Sequence, residues 1–215
     1  MKRLILAFAV AGVVAMPLVA QHQADPDHKV AGGGTLPSGW KGRADGTATL
    51  DGVKAMAMGG GVHFTSGPAG IYYRPADTAS GAYEARATFT QLVPAAHPEA
   101  YGLIIGGSDL EGAGQKYTYF LIRQDGKFMI KRRAGESTPT IADWTDNAAI
   151  KKADSSGKMS NTLSVDVAKD KVRFLVNGTE VSAAPAAQVD TAGIAGLRIN
   201  HNLNVHVEGF TVKAR

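Results

Sequence analysis

Tyr117-Thr118-Tyr119-Phe120-Leu121-Ile122-Arg123-Gln124-Asp125-Gly126-Lys127-Phe128-Met129-Ile130-Lys131-Arg132-Arg133 reads as two β-strands joined by a tight turn. Successive side chains of a strand point to opposite sides, so Tyr117, Tyr119, Leu121 and Arg123 share one face and Thr118, Phe120 and Ile122 the other. Gln124-Asp125-Gly126 closes the hairpin, because glycine accepts the positive φ such a turn needs. The same signature recurs along the chain: short apolar runs separated every eight to twelve residues by Gly, Asp or Asn. Strands are expected at 70–74, 82–90, 101–106, 117–123, 127–133, 162–168, 171–176, 194–200 and 205–212. Further hairpins are expected at Lys169-Asp170 and Asn177-Gly178, and a reversal at His201-Asn202-Leu203-Asn204. No amphipathic helix of useful length is present, nor any internal repeat of a propeller or solenoid. The expected fold is all-β, an antiparallel sandwich or barrel.

Composition agrees with a folded β domain. The chain has 215 residues, 26 Gly, 9 Pro, 44% hydrophobic and 20% charged residues. All-β domains reach about 200 residues undivided. With no cysteine, disulfide frameworks, thiolate zinc sites, iron–sulfur clusters and cysteine nucleophiles are excluded. Lys2 and Arg3, the apolar stretch from Leu4 to Ala15, and Ala20 before Gln21-His22-Gln23 read as a secretory signal peptide over residues 1–20. Residues 21–35, with Gly32-Gly33-Gly34, read as a flexible leader, and 36–215 as one β-sandwich domain. The expected location is periplasmic or extracellular, with no membrane span after cleavage. The formal net charge is +4, of which Lys2 and Arg3 supply two. The one basic cluster, Lys131-Arg132-Arg133, adjoins Glu136 and reads as a solvated strand end, so no nucleic-acid partner is expected. Oligomeric state is not legible.

Three runs carry a family resemblance: Gly67-Pro68-Ala69-Gly70-Ile71-Tyr72-Tyr73-Arg74, Gly81-Ala82-Tyr83-Glu84-Ala85-Arg86-Ala87-Thr88-Phe89 and Tyr101-Gly102-Leu103-Ile104-Ile105-Gly106-Gly107. With Phe174-Leu175-Val176-Asn177-Gly178 and Gly193-Ile194-Ala195-Gly196-Leu197-Arg198, they resemble the concanavalin A-like, laminin-G-like jelly-roll domains of secreted bacterial proteins. Within that superfamily the chain looks most like the 3-keto-disaccharide hydrolase domain group. The resemblance spans about residues 38–213. It implies an all-β jelly-roll sandwich of two curved antiparallel sheets packed face to face, with carbohydrate, where it is bound, on the concave sheet or its edge loops. The Glu-x-Asp-x-(x)-Glu arrangement of jelly-roll glycanases is missing, so the familiar carboxylate pair is not expected.

The residue-level expectation is a glycan surface. Tyrosine and tryptophan stack on sugar C–H faces while Arg and Asn bond hydroxyls. On that ground Arg86, Tyr119, Arg123, Trp144, Arg198 and Asn200 are the candidate ligand-binding residues. Trp144 has core packing as its other reading, and Trp40 is expected to close the sandwich. If the domain is an enzyme acting on glycosides such as 3-keto-disaccharides, Glu84, Asp109 and His201 are the acid–base candidates. His201 shows no orienting carboxylate in the sequence. No cofactor is required; Asp109 and Glu111 with loop carbonyls have the oxygen donors Ca²⁺ prefers, and the same loop also reads as a solvated hairpin tip. A non-catalytic envelope interaction module is the third class.

Overall fold

The computed structural model describes residues 25–156 and 158–215. The expected signal peptide lies outside the described residues. Fourteen strands follow in chain order: β1 Lys41–Ala44, β2 Val53–Met58, β3 Gly61–Ser66, β4 Gly70–Ala79, β5 Tyr83–Gln91, β6 Ala100–Ser108, β7 Lys116–Arg123, β8 Lys127–Ala134, β9 Thr140–Asp146, β10 Met159–Val167, β11 Lys171–Val176, β12 Thr179–Pro185, β13 Gly193–Ile199 and β14 Asn204–Ala214. They form two seven-stranded sheets. Sheet A runs β1-β4-β13-β6-β7-β8-β9, and sheet B runs β12-β11-β10-β5-β14-β3-β2. Every pairing is antiparallel. The chain is the all-β, two-sheet jelly-roll sandwich that the family resemblance implied, and of the two forms the strand spacing allowed it takes the sandwich.

The sheets pack face to face over one core. Sheet A contributes Tyr72, Tyr101, Leu103, Phe120, Ile122 and Leu197, and sheet B contributes Phe64, Ala87, Phe89, Leu163, Phe174 and Val205. Rings interlock across the layer, Phe120 with Phe174 at 5.4 Å and Phe89 with Tyr101 at 5.5 Å between centroids. Burying each such side chain stabilises the fold by about 1.5–3 kcal/mol. Trp40 lies edge-on to Phe64 at 6.4 Å and packs on the core. A second apolar cluster lies on the other side of sheet A, where Ile71, Tyr73, Ile104, Leu110, Tyr117, Tyr119, Leu121 and Met129 come together. Strand β7 is therefore buried on both faces between Tyr117 and Ile122. This second cluster is the floor of the surface described below.

One bend in β6 places the loop after it. Gly106 has φ of 65° where the β6–β7 register shifts, and a Cβ there would sit 2.1 Å from the Asp190 carbonyl oxygen. Residues 25–35 form no strand; His28 N donates to Asn202 Oδ1 at 2.7 Å, and Gly34 N donates to Leu50 O and Val53 O. Among the described residues no helix is long and apolar enough to cross a membrane.

Candidate functional site

Register assembles the outer face of sheet A. One row across the strands reads Arg43, Ile71, Arg198, Gly102, Leu121 and Met129. The next reads Lys41, Tyr73, Gly196, Ile104, Tyr119 and Lys131. Above it Tyr117 stands opposite Arg133. Because side chains alternate along each strand, the hairpin that began the sequence reading delivers Tyr117, Tyr119, Arg123, Lys131 and Arg133 to this one surface.

Arg198 is its centre. The Arg198 side chain is 13% exposed and donates to both carboxylate oxygens of Asp45, at 3.1 and 2.5 Å. Its guanidinium lies 5.7 Å from the Tyr119 ring centroid, and Tyr119 lies 5.8 Å from Tyr117. Burial alone would raise the Asp45 carboxyl, but the hydrogen bonds and charge of Arg198, with the charges of Arg133 and Arg43, hold it below the ordinary carboxylate value. Arg43 donates to the carbonyls of Leu110 and Gly112 and so ties down the loop after β6. From that loop Glu111 accepts from Lys41 at 2.6 Å and from the Tyr73 hydroxyl at 3.2 Å. Burial, with Glu111 beside it, pushes the Tyr73 phenol up to about 12. Arg133 and Lys131 face the same surface with no carboxylate at ion-pair distance among the described residues. The Arg133 Nε is buried without a hydrogen-bond partner.

The surface continues toward the β7–β8 turn. Arg123 donates to Asp125 at 3.1 and 2.5 Å and lies 4.3 Å from the centroid of Trp144, which packs on the outer cluster from β9. Asn200, just past β13, donates to Glu99 Oε2 at 3.3 Å and leaves its Oδ1 buried without a partner. His201 differs from expectation. Its Nε2 is 2.8 Å from Glu99 and its Nδ1 3.4 Å from Asp27, so two carboxylates flank the ring. They come from the β5–β6 connection and from residues 25–35, too far along the chain for local sequence to reveal. Asp25, Glu99 and His201 bring one ligand atom each to within 4.8 Å of one another, a mixed nitrogen–oxygen donor set.

Other expected residues lie apart. Arg86 is exposed on the outer face of sheet B, opposite Ser164 and Thr211, so it cannot share a site with Tyr119. The polar faces of β5 and β7 look alike in sequence but belong to different sheets. Glu84 lies on the Arg86 face, where Arg215 bonds it at 3.0 Å and Asp166 at 2.7 Å, a carboxylate pair bridged by a cation. Asp109 has φ of 49° and curls over Gly112 and Gly114 of its own loop, while Glu111 is held by Lys41 and Tyr73. The residues missed are Asp45, Arg43, Tyr117, Arg133 and Glu99. Arg133 was visible in the basic cluster. Alternation sends Arg132 away to bond Asp190 at 2.7 and 2.8 Å and keeps Lys131 and Arg133 on the outer face. The cluster is therefore split between two environments, where a uniform solvated strand end was expected.

Buried rings make this a floor more than a stacking platform. Tyr117 and Tyr119 keep 2% and 8% of their exposure, so their ring faces are covered. Tyrosine hydroxyls bonded within the protein are those of Tyr73 and Tyr83. Among the described residues those of Tyr117 and Tyr119 remain available to a ligand. A cavity of about 590 Å³ lies elsewhere, lined by Trp40, Met58, Arg74 and Phe210. Its cation, Arg74, is already bonded to Asp77 and packed 5.4 Å from each of those rings.

No protein-family model matches the chain, and no curated protein matches it in sequence. Its structure is similar to the carbohydrate binding module CBM66 from Bacillus subtilis, with a TM-score of 0.59 at 10% identity, over 84% of this chain and 99% of that one. It is also similar to a protein of unknown function with galectin-like fold from Bacillus subtilis, with a TM-score of 0.53 at 10% identity over 81% and 89% of the two chains. The Emp47p carbohydrate recognition domain gives a TM-score of 0.51 at 9% identity over 88% and 93%. At these identities the likeness is one of fold.

Proposed function

We propose that this chain is an exported β-sandwich that binds carbohydrate on the outer face of sheet A. The observation that carries the reading is convergence: Tyr117, Tyr119 and Trp144 share one surface with Arg123, Arg198 and Asn200, groups able to bond hydroxyls. Two structurally similar proteins are a carbohydrate binding module and a carbohydrate recognition domain, which supports the same reading. Affinity is expected to be modest, because an open face buries little ligand area. Glycan-array screening of the protein followed by calorimetry on each hit, with calcium and with chelator, tests it. Arg123→Ala and Trp144→Ala should abolish binding while circular dichroism stays unchanged. Full binding by both variants would contradict the assignment.

Glycoside cleavage, as the 3-keto-disaccharide hydrolase resemblance implies, is a second reading, supported by the 2.8 Å contact of His201 with Glu99. A carboxylate-oriented imidazole is the usual arrangement of a general base. Release of keto-sugar products, and loss of that activity in His201→Gln, would establish it. Binding without product would leave the module reading alone.

A further inference from the structure

At the centre of the outer face of sheet A the cations outnumber the carboxylates, while Glu99 at its margin is taken up by Asn200 and His201. The three carboxylates bonded to its central cations are each matched to one of them: Asp45 to Arg198, Glu111 to Lys41 and Asp125 to Arg123. Arg43, Lys131 and Arg133 remain in excess. Arg43 satisfies backbone carbonyls, which do not neutralise it. Lys131 and Arg133 stand opposite Tyr119 and Tyr117 on the neighbouring strand, two residues apart, hence about 6–7 Å along β8. The Arg133 Nε is sealed from water with nothing to donate to, a state that destabilises a guanidinium unless a bound group completes it. A planar guanidinium with free N–H groups matches a carboxylate or sulfate oxygen pair, and charge-assisted bonds of that kind are about twice as strong as neutral ones.

We propose that the ligand is an acidic glycan, its carboxylate or sulfate held by Arg133 and Lys131 while its hydroxyls meet Tyr117, Tyr119 and Arg198. This inference rests on the carbohydrate-binding reading and narrows it. A neutral sugar could accept from the Arg133 N–H groups through its hydroxyl oxygens but would leave the surplus charge unanswered. An acidic one answers the charge as well.

The test is calorimetric titration of the protein with three matched ligands: oligogalacturonate, the same oligomer methyl-esterified, and a sulfated polysaccharide. The expected result is binding of the free acid, the sulfated ligand or both. Esterification should weaken the oligogalacturonate, if bound, at least about tenfold, as should Arg133→Gln, the loss of one charge-assisted bond. Lys131→Gln, at a half-buried position outside every ion pair of the described residues, should weaken binding in the same direction if Arg133→Gln fails to fold. Raising salt from about 0.05 to about 0.5 M should weaken binding further, since exposed charges are screened. Binding of acid but not sulfate, or the reverse, identifies which source the site takes. Equal binding of the ester or of a neutral glycan would overturn the acidic preference and leave the carbohydrate reading standing. Inorganic sulfate binding as tightly as any glycan would overturn the inference by showing a small-anion site. Absence of binding by every acidic ligand would overturn it as well, and silence across the neutral array too would remove the parent reading.

Discussion

Replacing Asp45 with Asn removes the carboxylate from beneath Arg198 and keeps the shape. The wild-type pair is bidentate, at 3.1 and 2.5 Å, with the Arg198 side chain 13% exposed and that of Asp45 41% exposed. Breaking a fully buried pair costs about 3–5 kcal/mol because one charge is stranded. Water reaches Asp45, so the exposed-pair limit pulls the figure down, to about 2 kcal/mol. In a domain of this size each kcal/mol moves Tm by roughly 2–4 °C, so Asp45→Asn should melt about 4–8 °C lower. Urea unfolding followed by circular dichroism should show a lower midpoint at unchanged slope. In an Arg198→Leu background the same Asp45→Asn change should have little further effect, since the partner is gone. The pH dependence has a definite sign. The Asp45 carboxyl is held below its ordinary 3.8 in the folded protein, so its contribution is present above that value and lost as pH falls through the folded one. Wild type and variant should therefore converge in acid. A loss under about 0.5 kcal/mol at neutral pH, the range of ordinary surface changes, would refute the view that this pair anchors the face.

The Tyr101 hydroxyl is buried without a partner, so Tyr101→Phe should stabilise the domain by about 1 kcal/mol in urea titration, and a loss instead would reveal an unseen bond. Gly106→Ala would place a methyl group 2.1 Å from the Asp190 carbonyl oxygen at φ of 65°, and should destabilise by about 3 kcal/mol; a neutral result would mean that the β6 bend relaxes freely. Burial, and then the neighbouring His206, depress His63 below 6.5, so the unfolded chain takes up the proton first and stability should fall as pH drops below that value. His63→Gln should flatten that part of the pH–stability curve, and an unchanged curve would assign the slope to another group.

Much of the fold was legible because interior strands announce themselves. The expected strands at 117–123, 127–133 and 171–176 match β7, β8 and β11 to within a residue at either end. The strands that escaped notice include all four edges of the sandwich: β1 and β9 of sheet A, β12 and β2 of sheet B. An edge strand pairs on one side and is wet on much of its surface, so its sequence carries little alternation. Thr140–Asp146 and Thr179–Pro185 are largely polar or small, and Val53–Met58 alternates Ala with Met next to the Gly59-Gly60 turn. The site was harder to read. Period two correctly put Tyr119 beside Arg123, but only sheet order separates Arg86 from them. Asp45 and Arg198 are 153 residues apart and Lys41 and Glu111 are 70 apart, and no local pattern joins either pair.

The most direct test of the account maps a bound glycan onto the protein. Amide chemical-shift changes, recorded while titrating the tightest ligand from the array, report which sheet it touches. Binding on the outer face of sheet A predicts changes along β7, β8, β13 and the loop holding Leu110 and Glu111, with β10 and β11 still. Changes centred on Arg86, Thr88 and Thr162 of sheet B would contradict it.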